Sequence, residues 1–289
     1  MKNLVRKNKF LVIPLLFSLQ AIAASSVSAS DQSAENIRVE SKQFGDYRVT
    51  IFKSFDSYEG ELLITKNSVQ VFKEREFDVY YYFGNWIDGT DVETDPYSGK
   101  DITGNQEPDL VITKRTGGAH CCQFLYVFEI GKSFRHLLTV DAQSSDIYLK
   151  DLDGDKVPEI EFWDGSIDYR FASFASSSKG HFILKYNGKE YQPAVHLMRK
   201  PAPNKNEIKR IKSQIQKIFD PQYPEVPYEL LEPMMNLSYC GHLDLALKLA
   251  DETWPPKRPG IEKFKNDFRD ALRESRYWKS LSEALAKAN

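Results

Sequence analysis

DLDGDKVPEIEF, residues 151–162, sets acids at 151, 153 and 155, a proline at 158 and an acid at 159, then runs into apolar residues of strand character. DITGNQEPDLVI, residues 101–112, lies fifty positions upstream and repeats it. An acid, a glycine, an Asn for an Asp, a proline, an acid and an aliphatic residue recur at the same offsets. That separation suits one multi-stranded β unit, such as a propeller blade, repeated along the chain. A third unit before them, around GELLITKNSVQVF (60–72), has strands but no acidic loop.

Outward from the repeat, residues from Ile37 to about Tyr191 carry short alternating or apolar segments: YRVTIF, DVYYYF, DLVIT, FLYVFEI, EIEFW and HFILKY. Turn chemistry separates them, with Asn187-Gly188 the clearest hairpin signal. An aromatic content of 13% suits strands packing on pleated surfaces. After Met198 the chain passes through RKPAPNKNE into helical spacing, with Ile208, Ile211, Ile215 and Ile218, then Ile261, Phe264, Phe268 and Leu272, recurring at three and four residues. The expected fold class is α+β: an N-terminal antiparallel β-repeat, propeller-blade-like domain at 31–198, followed by a C-terminal α-helical hairpin domain at 205–289.

Residues 1–23 read as an export signal. Lys2, Arg6, Lys7 and Lys9 precede an apolar run from Phe10 to Leu19 and the small-residue site Ala21-Ile22-Ala23. Cleavage is expected after Ala23, giving a periplasmic or secreted chain with no lipid anchor. No later segment reaches the length of a bilayer span, so no stable membrane insertion follows cleavage. The net charge of −2 hides an asymmetry, because acids outnumber bases up to residue 198 and bases outnumber acids beyond it. An acidic main part excludes nucleic acid as an expected partner, and it suits cations.

The two loops resemble the FG-GAP or VCBS-type repeat, whose pattern is DxDGDGxxD followed by an aliphatic strand. The resemblance covers roughly residues 101–190 and implies propeller-like β units with calcium in the loops. The string TGGAHCCQFLYVF, taken with YCGHLDLALKLADETWPP, is also similar to a group of exported bacterial proteins of unknown function.

The residues themselves give the same cation chemistry. Calcium takes six to eight hard oxygens, which a tight loop supplies from alternate positions. Asp151, Asp153 and Asp155 hold the first, third and fifth places, the Val157 carbonyl the seventh and Glu159 the ninth. Lys156 stands where the repeat has Gly, and Phe162 where an EF-hand has Glu. No cluster of neighbouring cations is evident in sequence to neutralise the four carboxylates, so a structural Ca2+ is expected. Asp101, Thr103, Asn105, Glu107 and Asp109 form the copy expected to bind more weakly, or to serve only as a turn.

Three cysteines are present, Cys121, Cys122 and Cys240. Three readings stay open: a vicinal Cys121–Cys122 disulfide, favoured by an oxidising compartment; one of the pair joined to Cys240; or a soft-metal or redox site with His120 and His242. His136, His181 and His196 read as structural histidines. The aromatics of DVYYYFGNW (78–86) suit a sugar or peptide groove, though such residues more often pack strands. No GxSxG, HExxH, P-loop or dinucleotide glycine pattern occurs. The expected function is therefore an exported non-enzymatic protein that binds a protein or glycan, or takes part in envelope assembly. The alternatives are the thiol or metal site and a hydrolase without a readable motif.

Overall fold

The structure, a computed structural model, describes residues 37–85, 95–118, 121–222 and 225–288. The expected signal segment lies outside them. Twelve strands among the described residues form three antiparallel four-stranded sheets, each a simple up-and-down meander taken in chain order. The first sheet is β1 (Ile37–Phe44), β2 (Tyr47–Ser54), β3 (Glu59–Lys66) and β4 (Val69–Phe77). The second is β5 (Val79–Phe83), β6 (Asp109–Thr116), β7 (Gln123–Ile130) and β8 (Phe134–Gln143). The third is β9 (Tyr148–Lys150), β10 (Glu159–Asp164), β11 (Gly180–Tyr186) and β12 (Tyr191–Pro193). Asn187 closes the last hairpin by accepting from the Lys189 and Glu190 N–H groups, and Gly188 takes the left-handed φ of 91° that the turn needs.

Six α-helices follow among the described residues: α1 (Val195–Met198), α2 (Lys205–Ile218), α3 (Tyr228–Tyr239), α4 (Leu243–Thr253), α5 (Ile261–Glu274) and α6 (Trp278–Lys287). Asn204 starts α2 with a capping box, its side chain accepting from the Asn206 and Glu207 N–H groups while Glu207 reaches back to the Asn204 N–H. Of the isoleucines that predict α2, Ile215 is fully buried and Ile218 is exposed.

The second sheet explains why DLVIT does not alternate. Leu110 and Ile112 pack with Val49, Leu62 and Ile64 of the first sheet, while Val111 enters a second core with Leu125 and Val127. A strand buried on both faces loses the period-two pattern. The second core continues through Ile160, Phe162 and Phe182 of the third sheet into Met234, Leu249 and Phe268 of the helices. The proline stretch at 199–204 therefore marks a change of secondary structure, and the apolar core runs across it within one unit, Glu35–Asn289.

Two polar joints fix the helical part to the sheets, one at β10 of the third sheet and one at β8 of the second. The buried Asp164 carboxylate accepts from the Tyr239 hydroxyl and the Ser275 hydroxyl, each at 2.5 Å, and from the Ser166 N–H at 2.9 Å. Gly180 lies against the Tyr239 ring so closely that a Cβ there would stand 2.2 Å from the ring carbon Cζ. Tyr277 meanwhile donates to the Asp141 carbonyl and accepts from the Asp141 N–H, both at 2.8 Å.

Candidate functional site: the acidic loops and the cysteine cleft

Both acidic loops are built the same way. Asp101 accepts through Oδ1 from the Gly104 N–H at 2.7 Å and through Oδ2 from the Gln106 N–H at 2.7 Å. Asp151 accepts from the Gly154 N–H at 2.7 Å and the Lys156 N–H at 3.0 Å, at the same offsets. The closing acid repeats too. Asp109 Oδ2 accepts from the Ile102 N–H at 2.9 Å, and Glu159 Oε2 from the Leu152 N–H at 2.7 Å. Gly104 and Gly154 have φ of 74° and 84°, and Gln106 and Lys156 follow at 69° and 74°. Lys156 thus takes the left-handed backbone that its missing glycine would have adopted without strain.

Asp151, Asp153 and Glu159 each turn a carboxylate oxygen to within 4.8 Å of the others, the one such group that could hold a metal ion among the described residues. Asp155 stands beside them, its Oδ1 accepting from the Val157 N–H at 2.8 Å. The expectation that no cluster of cations stands near these four acids is corrected by the strand pairing. Lys185 of β11 reaches in from the adjacent strand, its Nζ donating to Asp155 at 2.6 Å, Glu159 at 2.8 Å and Asp153. His196 adds a contact to Asp153 at 3.4 Å. Hydrogen bonds from Lys185 hold the Asp153 and Asp155 carboxyls below their usual range. Burial opposes the Lys185 charge, but the three carboxylates outweigh it and raise its pKa.

In the second sheet the counterpart of Lys185 is an acid. Lys185 lies one step beyond the Ile160–Leu184 pair, hence opposite Glu159, and the residue opposite Asp109 is Glu129. Glu129 accepts from Asn105 at 2.6 Å and makes a two-pronged pair with Arg135 at 2.6 and 2.8 Å. Thr103 donates its hydroxyl to Asp109, and Glu107 pairs with Lys132 at 3.3 Å. Asp109 is 0% exposed, and its Oδ1 has no hydrogen-bond partner. By the equivalence of the loops, that oxygen corresponds to the Glu159 oxygen that receives Lys185. Burial pushes the Asp109 carboxyl up to about 6.

A pH dependence with a definite sign follows. With a folded pKa of about 6 against an ordinary 3.8, the native state binds more protons than the unfolded state between those values. The Asp109 contribution to stability therefore falls as pH rises from about 4 to about 6 and is level above. In chelator, Asp109→Asn should match wild type near pH 4 and exceed it by about 2–3 kcal/mol at pH 7, measured by urea unfolding across pH. Equal pH profiles for the two proteins would refute it.

The cysteine pair stands elsewhere, at a cleft between the second and third sheets. Cys121 is exposed, Cys122 is half-buried, and their sulfurs lie in contact. Gly118 lets the Cys121 carbonyl approach, since a Cβ there would sit 2.6 Å from that oxygen. His120 lies outside the described residues. Cys240 is a free, half-buried cysteine whose thiol pKa burial pushes up. His242 bonds the Lys200 carbonyl at 2.7 Å.

The remaining histidines have polar contacts of their own: His136 with the Leu138 carbonyl and the Thr139 hydroxyl, and His181 with Glu161 at 2.7 Å. Within DVYYYFGNW, Tyr81 and Phe83 are buried, with Tyr81 donating to Glu74 at 2.9 Å, so these two pack the strand. Trp86 lies outside the described residues. Sequence reasoning missed Lys185 and Glu129. The only trace of them there is a lysine or a glutamate near the end of an apolar strand, a position that gains meaning once the strands are paired.

The chain matches no family model, no curated protein and no solved structure.

Proposed function

We propose that the chain is an exported, non-enzymatic binding protein of β-repeat type, with blade-like sheets and a calcium ion held by the loop 151–159. The observation that carries this reading is the convergence of Asp151, Asp153 and Glu159 on one point. The repeated loop geometry supports it, because the same backbone wrap recurs in two consecutive sheets. Hard oxygens in a loop between strands suit a structural ion, which would staple β10 to the loop before it. Asp155 and the Val157 carbonyl complete the ligand set, with Lys185 swinging out as the ion enters. In the copy at 101–109, Asp109 Oδ1 offers one free oxygen, and binding there is weaker.

Calcium titration of the mature chain tests the reading by thermal melting. Calcium should raise the wild-type melting temperature above its value in chelator, and Asp153→Ala should lose that rise. Identical melting in calcium and chelator would remove calcium from the proposal.

The second element is a vicinal disulfide between Cys121 and Cys122, supported by their adjacency in the chain and by the expected oxidising compartment. Intact mass after alkylation in denaturant should show one modified cysteine in protein purified under oxidising conditions and three after reduction. Three modified cysteines without reduction would overturn it.

A further inference from the structure

The strands at the margins of the three sheets are β1 and β4, β5 and β8, and β9 and β12. Such edges expose unpaired N–H and C=O groups, and folded chains blunt them with short strands, bulges or proline. All but one are blunted here. β9 and β12 have three residues each, with Pro193 in β12, and β5 has five. The β3–β4 ladder slips between Ile64 and Thr65, leaving Val71 of β4 without a partner residue, and the β7–β8 ladder slips twice. β1 is the exception, with eight residues paired to β2 in one unbroken register and no strand on its other side among the described residues.

The turn into β2 fixes which backbone groups of β1 look outward. Phe44 pairs with Tyr47 across Gly45 and Asp46, and Gly45 has φ of 54°, as the first residue of a type II′ turn does. The residues that close such a turn bond each other. Phe44, Lys42, Glu40 and Arg38 therefore turn their backbone groups to β2, and Ile37, Val39, Ser41 and Gln43 turn theirs away. The Ser41 and Thr50 hydroxyls meet at 3.1 Å, in keeping with the closer side chains of a pair without backbone bonds. Arg38, Glu40 and Lys42 share the packed side of the sheet with Phe44, and Lys42 rests 4.3 Å over the Phe83 ring of β5. Their side chains are nonetheless 67%, 38% and 39% exposed, so β1 overhangs the second sheet. Glu40 lies 3.6 Å from Arg38 and 3.8 Å from Lys42, loose exposed pairs of little strength.

We infer that β1 is a docking edge for a second copy of this chain, which adds antiparallel about a two-fold axis at Ser41 and joins the first sheets of two molecules into one. The charges select that partner and that register. Outward backbone groups can bond only outward groups, which restricts the alignments. With Glu40 on the axis, Glu40 opposes itself and Arg38 opposes Lys42, like charge against like. With Val39 on the axis, the strands overlap only from Ile37 to Ser41. With Ser41 on the axis, Glu40 of each copy opposes Lys42 of the other, Val39 opposes Gln43, and Arg38 meets the Phe44 ring, so the whole strand is used. The alternation of base, acid and base at 38, 40 and 42 is thus its own complement. The edge is available whether or not the acidic loops hold calcium.

Analytical ultracentrifugation of the mature chain, up to about 100 μM so that even a weak dimer assembles, tests this. Wild type should form a dimer. Ser41→Pro removes an N–H that faces away from β2, so the dilute variant should melt close to dilute wild type and yet stay monomeric when concentrated. Lys42→Glu sets acid against acid across the axis and should weaken the dimer about tenfold or more. Glu40→Lys combined with Lys42→Glu exchanges the two charges and should restore it. A wild type that is monomeric at about 100 μM, a dimer that survives Ser41→Pro, or one that Lys42→Glu leaves at full strength or the double exchange fails to restore would overturn the inference.

Discussion

Asp164→Ala is expected to destabilise the protein by about 3–5 kcal/mol, because it strands two donors in the core. Asp164 is 1% exposed, and it is the acceptor for the hydroxyls of Tyr239 and Ser275, which are 1% and 6% exposed. Neither can turn to water without leaving the joint between the third sheet and the helices. Gly180 pressed against the Tyr239 ring blocks one route of escape. A buried hydroxyl without a partner costs about 1–3 kcal/mol, and here there are two. For a chain of this size the loss should lower the melting temperature by about 10 °C. Asp164→Asn keeps an acceptor and should cost visibly less. Urea unfolding of the three proteins checks the order, and a loss below about 1 kcal/mol for the alanine variant would show that the joint is not a stabilising element.

Lys185→Met should act in opposite directions with and without calcium. In chelator the variant melts below wild type, since Glu159 is fully buried and loses the ammonium at 2.8 Å, with Asp153 and Asp155 losing theirs. In calcium the same variant gains, because the ion no longer competes with a resident cation. Affinity should rise roughly thirtyfold, a fraction of the full repulsion between an ammonium and a divalent ion at such a spacing. Lys185→Arg keeps the charge and should respond to calcium as wild type does. Calorimetric titration in low salt, with melting in calcium and in chelator, measures both effects. A variant that melts lower in chelator yet binds no calcium would identify Lys185 as the loop's permanent counter-ion and end the calcium reading of this loop.

The division between what was legible and what was not follows from range. The loops were readable because their geometry is local. Asp101 and Asp151 bond N–H groups no more than five residues away, and the glycines at 104 and 154 mark the left-handed turns within the same stretch. Helix α2 was readable for the same reason, through its isoleucine spacing, while the capping box at Asn204 came to light in the structure. The strands at 109–116 and 159–164 were readable from their apolar runs, although the run alone did not reveal that Leu110 and Val111 serve different cores.

By itself, then, the sequence determined the repeat, the mixture of strands and helices, and the acids that crowd each loop. Only the tertiary structure decided what those acids face. Strand pairing sets Lys185 against one loop and Glu129 against the other, twenty or more residues away in sequence, and it joins the helices to the third sheet through Asp164. A counter-charge is a matter of distance in space, and spacing along the chain carries no record of it until the backbone has closed.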